Sequence, residues 1–320
     1  MKVLVLSLGT GNLISAEETT RLKEINDEMK KTDEERSYFK ELLEGEKRGE
    51  IYAYRTAKYR YGEEVIKSPF VAESLIKSYQ PDRIVLIGTV KSCWSSFYVK
   101  FAPEANIEDF WILYSQEQNV NHGIHTGVDE LDELEQTINE ILQSSIHIKN
   151  ERSTGNVEIF SRLIQYGMNE DELNLNYKRL RNLWRKITGD ETNEDQVVNV
   201  AFDITHSFRS LPLYNLILMH YFSNVSKNKI VIDHVFYGNL DVARENDGIA
   251  EIVDLKDLIA VLNLISGVSE FENTGSSRTL ELSLKGENEN GLQKQLNEFD
   301  LATIIKISVH MTHTGGPIPP

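Results

Sequence analysis

Cys93 is the only cysteine among 320 residues. An intrachain disulfide is therefore excluded, as is a zinc site built on cysteine pairs, and the usage fits a reducing cytoplasm. No apolar run approaches the roughly 18–20 residues that a membrane-spanning helix needs, so no membrane association is expected. The start, MKVLVLSLGTGN, is apolar only from Val3 to Leu8 before Gly-Thr-Gly follows, which suits a first strand better than a signal peptide. No Gly-Lys-Ser/Thr occurs, so a Walker phosphate loop is excluded, and no His-Glu-x-x-His marks a metalloprotease helix. His122 and His125 share a loop with no cysteine beside them and read as surface residues. No metal and no cofactor is expected. Positive charge is also scarce: 34 Lys and Arg face 50 Asp and Glu, for a net charge of −16. An acidic body repels long polyanions, so stable duplex binding is not expected, even though Tyr177–Lys186 is a basic helical stretch. A small nucleotide in a locally basic pocket stays compatible with that charge.

What is present is a set of apolar runs that each end abruptly in small polar residues. Val197–Asp203 is followed by Ile204-Thr205-His206-Ser207-Phe208-Arg209-Ser210, and then by a helix-like apolar pattern from Leu211. Thr205 and Ser207 offer hydroxyl donors, Arg209 a planar fork for phosphate, and the new helix its free N–H groups. The plainer reading is that Asp203, Thr205 and Ser207 cap the helix. Lys2–Leu8 ends in Gly9-Thr10-Gly11-Asn12. Arg83–Ile87 ends in Gly88-Thr89-Val90-Lys91-Ser92-Cys93-Trp94. The first of these loops starts like a dinucleotide fingerprint, but Ile14 stands at its third glycine position, so an ordinary NAD site is not expected. Trp94 and Tyr98 either stack on a base or pack in the core. In a parallel sheet the three polar strand ends converge on one edge.

Along the chain, strands are expected at Lys2–Leu8, Ile51–Lys58, Arg83–Ile87, Val197–Asp203, Lys229–Tyr237 and Glu251–Leu255. Glu108–Leu113 fits a short strand or a helix, and Ile146–Lys149 a short strand. Helices are expected at Phe70–Ser78, Leu131–Leu142, Ile159–Arg185, Asp257–Ile265 and Leu292–Ile307. Residues 15–50 form a charged helical insertion. The alternation implies an α/β fold, a Rossmann-like doubly wound and mostly parallel sheet. Three parts follow: a domain over 1–255, a small helical segment over 256–310 and a flexible tail over 311–320.

Gly9-Thr10-Gly11-Asn12, Gly88-Thr89-x-x-Ser92-x-Trp94, Phe202-Asp203-Ile204-Thr205-His206-Ser207-Phe208-Arg209-Ser210-Leu211-Pro212, and Tyr237-Gly238 followed by Ile252-Val253-Asp254-Leu255 together resemble the CRISPR-associated Rossmann fold, or CARF, sensors. The branch resembled is the type III accessory proteins that join this sensor to a HEPN ribonuclease. The resemblance implies a cytoplasmic receptor for cyclic oligoadenylate, cyclic tetra-adenylate in the first instance, bound across a homodimer in antiviral defence. It assigns ligand contacts to Gly9, Thr10, Gly11, Asn12, Gly88, Thr89, Ser92, Trp94, Thr205, His206, Ser207, Arg209 and Ser210. A metal-independent ring nuclease is the alternative, with Ser207, Arg209, His206 and Lys91 stabilising the charge on phosphate as a ribose 2′-OH attacks. A nucleotide-responsive regulator without catalysis is a third. The Arg-x4–6-His motif of HEPN ribonucleases does not occur, and no Arg follows Arg278. The 256–310 segment thus reads as a truncated or diverged effector.

Overall fold

A computed structural model describes residues 1–9, 56–118, 127–150, 155–188, 197–206, 211–225, 230–240, 243 and 246–276. The insertion at 15–50, the segment Leu292–Ile307, the tail, His122 and His125 lie outside these. So do the ligand-contact candidates Thr10, Gly11, Asn12, Ser207, Arg209 and Ser210.

The chain divides into two compact units, Met1–Asp254 and Leu255–Pro320. The described residues of the first form eight strands: β1 (Lys2–Leu8), β2 (Ala57–Tyr61), β3 (Glu64–Ser68), β4 (Arg83–Gly88), β5 (Glu158–Leu163), β6 (Val198–Asp203), β7 (Ile230–Gly238) and β8 (Ile249–Asp254). They form one sheet in the order β3-β2-β8-β7-β6-β1-β4-β5. The block β5-β4-β1-β6-β7 is parallel throughout. β8 runs antiparallel to β7, and β3 antiparallel to β2.

Among the described residues, six helices accompany the sheet: α1 (Val71–Tyr79), α2 (Trp94–Phe101), α3 (Ile107–Gln118), α4 (Val128–Ser145), α5 (Glu170–Thr188) and α6 (Leu211–Val225). β1 shows why both faces need cover. Its side chains alternate between faces, and all of Val3–Leu8 except the small Ser7 are apolar. Leu4, Leu6 and Leu8 join Ile84 and Leu86 in a core with Leu75 of α1, Phe97 of α2, Phe110 of α3 and Ile138 of α4. Val3 and Val5 join Val85, Ile87, Val200 and Phe202 on the other face, with Leu180 and Trp184 of α5 and Leu218 of α6. This is the doubly wound sandwich expected of near-continuous apolar strands.

Some expectations need correction. Ile159–Arg185 is not one helix: Glu158–Leu163 is β5, which lies beside β4, and α5 starts only at Glu170. The buried positions of β5 are Ile159, Ser161 and Leu163, and a serine in the middle of that alternation disguises it. Residues 51–55 of the strand expected at Ile51–Lys58 lie outside the described residues; the described strand there is Ala57–Tyr61, which turns at Gly62 (φ 62) into β3, a hairpin partner absent from the sequence reading. Of the two readings left open for Glu108–Leu113, the helix holds, as part of the longer α3. Ile146–Lys149 is not a strand; only Lys149 bridges, to Asn156.

In the second unit the described part is α7 (Lys256–Thr274), longer than expected. Gly275 ends it in the left-handed conformation (φ 72), its N–H bonding the Phe271 carbonyl at 2.8 Å. No described helix is long and apolar enough to cross a membrane.

Candidate functional site

Chain order reverses across β1. Within the parallel block, β4 and β5 follow β1 on one side, and β6 and β7 come later on the other; the hairpin β2–β3, which comes between β1 and β4 in the chain, lies at the far edge beyond β8. The switch point between β1 and β6 is where open α/β sheets bind ligands, beyond the carboxyl ends of the strands. The three polar strand ends read from the sequence leave β1, β4 and β6, and the parallel pairing places all three on this edge.

The β4 exit is stapled to the β1 exit. The Ser92 hydroxyl donates to the Leu8 carbonyl at 2.6 Å and accepts from the Thr89 N–H at 2.9 Å. The Cys93 N–H bonds the Gly9 carbonyl at 3.0 Å. The Trp94 indole donates to the Thr89 carbonyl at 2.8 Å. A Cβ on Gly88 would lie 2.7 Å from Ser92 Oγ and 2.8 Å from the Trp94 ring, so only glycine allows this turn. Thr89, Ser92, Trp94 and Tyr98 are all essentially buried. Ser92 and Trp94 spend their donors inside the protein and shape the loop, and Trp94 and Tyr98 pack in the core.

The N-terminus of α2, which follows this loop, is already occupied. Glu117 of α3 accepts from the Ser95 N–H at 2.5 Å and the Ser95 hydroxyl at 2.9 Å, and the Trp94 N–H bonds it too. Burial outweighs these bonds and pushes its carboxyl up to about 8. A phosphate therefore has no access to this helix end.

At the β6 exit, Asp203 is 2% exposed. It accepts from the Thr205 N–H at 2.9 Å and the Thr205 hydroxyl at 2.5 Å. Burial raises the carboxyl to about 6 despite both bonds. Thr205 Oγ1 in turn accepts the Gly238 N–H from the end of β7 at 2.8 Å, and Ser7 of β1 donates to the Asp203 carbonyl at 3.1 Å. The sequence reading gave the Thr205 hydroxyl to an anion; here its one proton goes to Asp203, and Thr205 ties β6 to β7. His206 is half-buried, and desolvation pulls its imidazole down to about 4, so it is neutral at physiological pH. Lys91, half-buried in the β4 loop, makes no ion pair with any described residue.

A fourth strand end was missed because β5 was read as helix. Tyr166 follows β5, and the Thr89 side chain hydrogen-bonds its phenol. Of the candidates within the described residues, Gly9, Lys91, Thr205 and His206 remain partly open at this edge, joined by Tyr166.

Comparison with known proteins bears on this edge. Residues 48–241, more than half of the chain, match the family described as CRISPR system endoribonuclease Csx1, CARF domain. The chain belongs to this CARF family. The match contains the β4 and β6 exits, with β5 between them, on a Rossmann-like α/β fold. The CRISPR-associated protein MJ1674 of Methanocaldococcus jannaschii is 30% identical over 251 residues, which cover 75% of this chain and 36% of that relative. The chain thus spans about a third of the length of the curated relative it matches. The strand-end edge is where this chain offers a polar floor.

Proposed function

We propose that the chain is a cytoplasmic, homodimeric sensor of cyclic oligoadenylate, cyclic tetra-adenylate in the first instance, acting in type III CRISPR antiviral defence. The observation that carries the reading is the arrangement of the β1, β4 and β6 exits about the β1/β6 switch point. There Lys91 and His206, with Thr10, Asn12, Ser207, Arg209 and Ser210 of the same loops, would supply the phosphate contacts. Gly9, Gly88, Thr89, Ser92, Trp94 and Thr205 would set the loop shapes. Support for a two-fold assembly comes from α6, which starts directly after the Thr205–Ser210 loop. Its sequence, LPLYNLILMHYFSNV, holds no charged residue in a chain of net charge −16. Leu213 (59% exposed), Ile217 (50%) and Tyr221 recur on one exposed side at four-residue spacing. Two copies of so acidic a chain meet most easily at an uncharged face, and a two-fold dimer would present the same pocket twice to a two-fold ring.

A receptor is favoured over a ring nuclease by His206. The nuclease needs His206 to stabilise charge developing on phosphate, and burial, by pulling the imidazole down to about 4, deprives it of the positive charge for that task. The family description includes endoribonuclease, but without an Arg-x4–6-His motif in this sequence the proposal is confined to sensing. Titration calorimetry with cyclic tetra- and hexa-adenylate tests it. Heat with one ring, lowered at least about tenfold in affinity by Arg209→Ala, is expected. No heat with either ring would sink the reading, and linear products after incubation would turn it into the nuclease.

A further inference from the structure

The loop between β5 and α5 is built to a fixed shape yet leaves an apolar tip in solvent. The Ile164 N–H bonds the Gly88 carbonyl at 2.9 Å, extending the β4/β5 ladder past the strand. Asn176 of α5 holds Gln165 from both sides, accepting its N–H at 2.7 Å and donating to its carbonyl at 2.8 Å. Gly167 takes φ 76, and a Cβ there would lie 2.8 Å from Leu173. Glu172 then accepts from the N–H groups of Gly167 at 2.9 Å and Met168 at 3.0 Å. What this scaffold presents is Tyr166, half-buried with its hydroxyl on Thr89, and Met168, 69% exposed.

The loop's chemistry differs from that of the other exits. Glu170, Asp171 and Glu172 fill the first turn of α5, so its N-terminus repels phosphate. An aromatic ring and a thioether suit the flat, apolar face of a nucleobase. Position agrees as well. β5 stands three strand spacings from β6, about 14 Å along the edge, and bases radiate outward from a sugar-phosphate ring whose phosphates lie over the switch point. We infer that the β5–α5 loop is a fourth wall of the strand-end site, with Tyr166 and Met168 receiving a base of the ligand while the β1 and β6 exits hold its phosphates. This inference rests on the sensor reading above.

The test uses the full chain with cyclic tetra-adenylate and cyclic tetra-uridylate as probes. Tyr166→Leu should weaken adenylate-ring binding about tenfold or more and narrow the preference for adenylate over uridylate, because purines stack more strongly. Tyr166→Phe, which keeps the ring and drops the Thr89 bond, should stay within about threefold. Met168→Glu changes a solvent-exposed residue, so folding is not at stake. It should weaken the ring several-fold at 0.15 M salt, where screening confines a charge to about 8 Å. If the native chain binds the ring and both Tyr166→Leu and Met168→Glu bind it within twofold of native, the fourth wall is overturned and the sensor reading stands. If the native chain binds neither ring, the sensor reading falls and this inference with it.

Discussion

Asp203 is the residue on which chemistry and position most clearly oppose each other. A carboxylate at the floor of the proposed anion site would be unfavourable, and burial answers this by raising its pKa to about 6. Its ordinary value is about 3.9, so the folded chain holds this proton more tightly than the unfolded one. The associated stability is complete below about pH 4 and is lost as pH rises through 6. A polyanionic ligand above Asp203 raises the carboxyl further. Binding should then take up a proton, and affinity should rise as pH falls from 7.5 to 5.5. The same ligand would also raise His206, which burial holds near 4 in the free chain, so His206→Gln is the control that separates the two. Asp203→Asn keeps the Oδ1 acceptor for Thr205 and should flatten the profile. Calorimetry in buffers of different ionisation enthalpy counts the protons, and an equal slope in both proteins would exclude Asp203 as its source.

At the scale of elements, the open edge of the sheet beside β5 is closed by side chains. Glu135, Asn139 and Gln143 of α4 meet Leu163, Ser161 and Ile159 in turn. Glu135 accepts the Leu163 N–H at 2.9 Å, Asn139 accepts the Ser161 N–H at 2.6 Å, and Gln143 donates to the Ile159 carbonyl at 3.0 Å. The match is geometric: four helical residues rise about 6 Å and two strand residues about 6.6 Å. Arg179 of α5 completes the edge, donating to the Leu163 carbonyl at 2.7 Å and pairing with Glu135 at 2.7 Å and Asp132 at 2.5 Å. An edge so occupied does not recruit another strand. Arg179→Ala leaves the half-buried Glu135 carboxylate with Arg162, at 3.2 Å, as its remaining cation, and removes the bond to the Leu163 carbonyl, at a cost of about 1–3 kcal/mol. Asn139→Ala should cost about 1–3 kcal/mol. Urea unfolding measures both. A loss below 1 kcal/mol for Arg179→Ala would show that the edge does not depend on this pair.

For the whole molecule, the decisive expectation is self-association. If two copies meet on α6, Ile217→Glu places a charge on each side of the contact at a position already half in solvent, so each copy keeps its own core. Sedimentation should then show a dimer for the native chain and a monomer for the variant, and ring affinity should fall with the dimer. A variant that remains dimeric would move the interface elsewhere.

The residue runs Lys2–Leu8, Arg83–Ile87 and Val197–Asp203 were legible as strands because they are buried on both faces, and continuous apolar runs carry that signal without any neighbour. Their polar exits were legible for the same reason: the runs stop abruptly. β5 was not, because its buried face includes Ser161 and its other side chains belong to an edge; only α4 and β4, distant in sequence, make it a strand. With β5 went Tyr166. The allocation of protons was equally beyond the sequence. Thr205 looks like a donor to a ligand until Gly238, 33 residues away, and the buried Asp203 take both sides of its hydroxyl. By itself the sequence determined the fold class and which loops gather at one edge, since burial patterns are local. Only the tertiary structure decided which side chains at that edge hold the loops together and which stay open to a ligand, because each buried donor is claimed by whatever acceptor the packing brings to it.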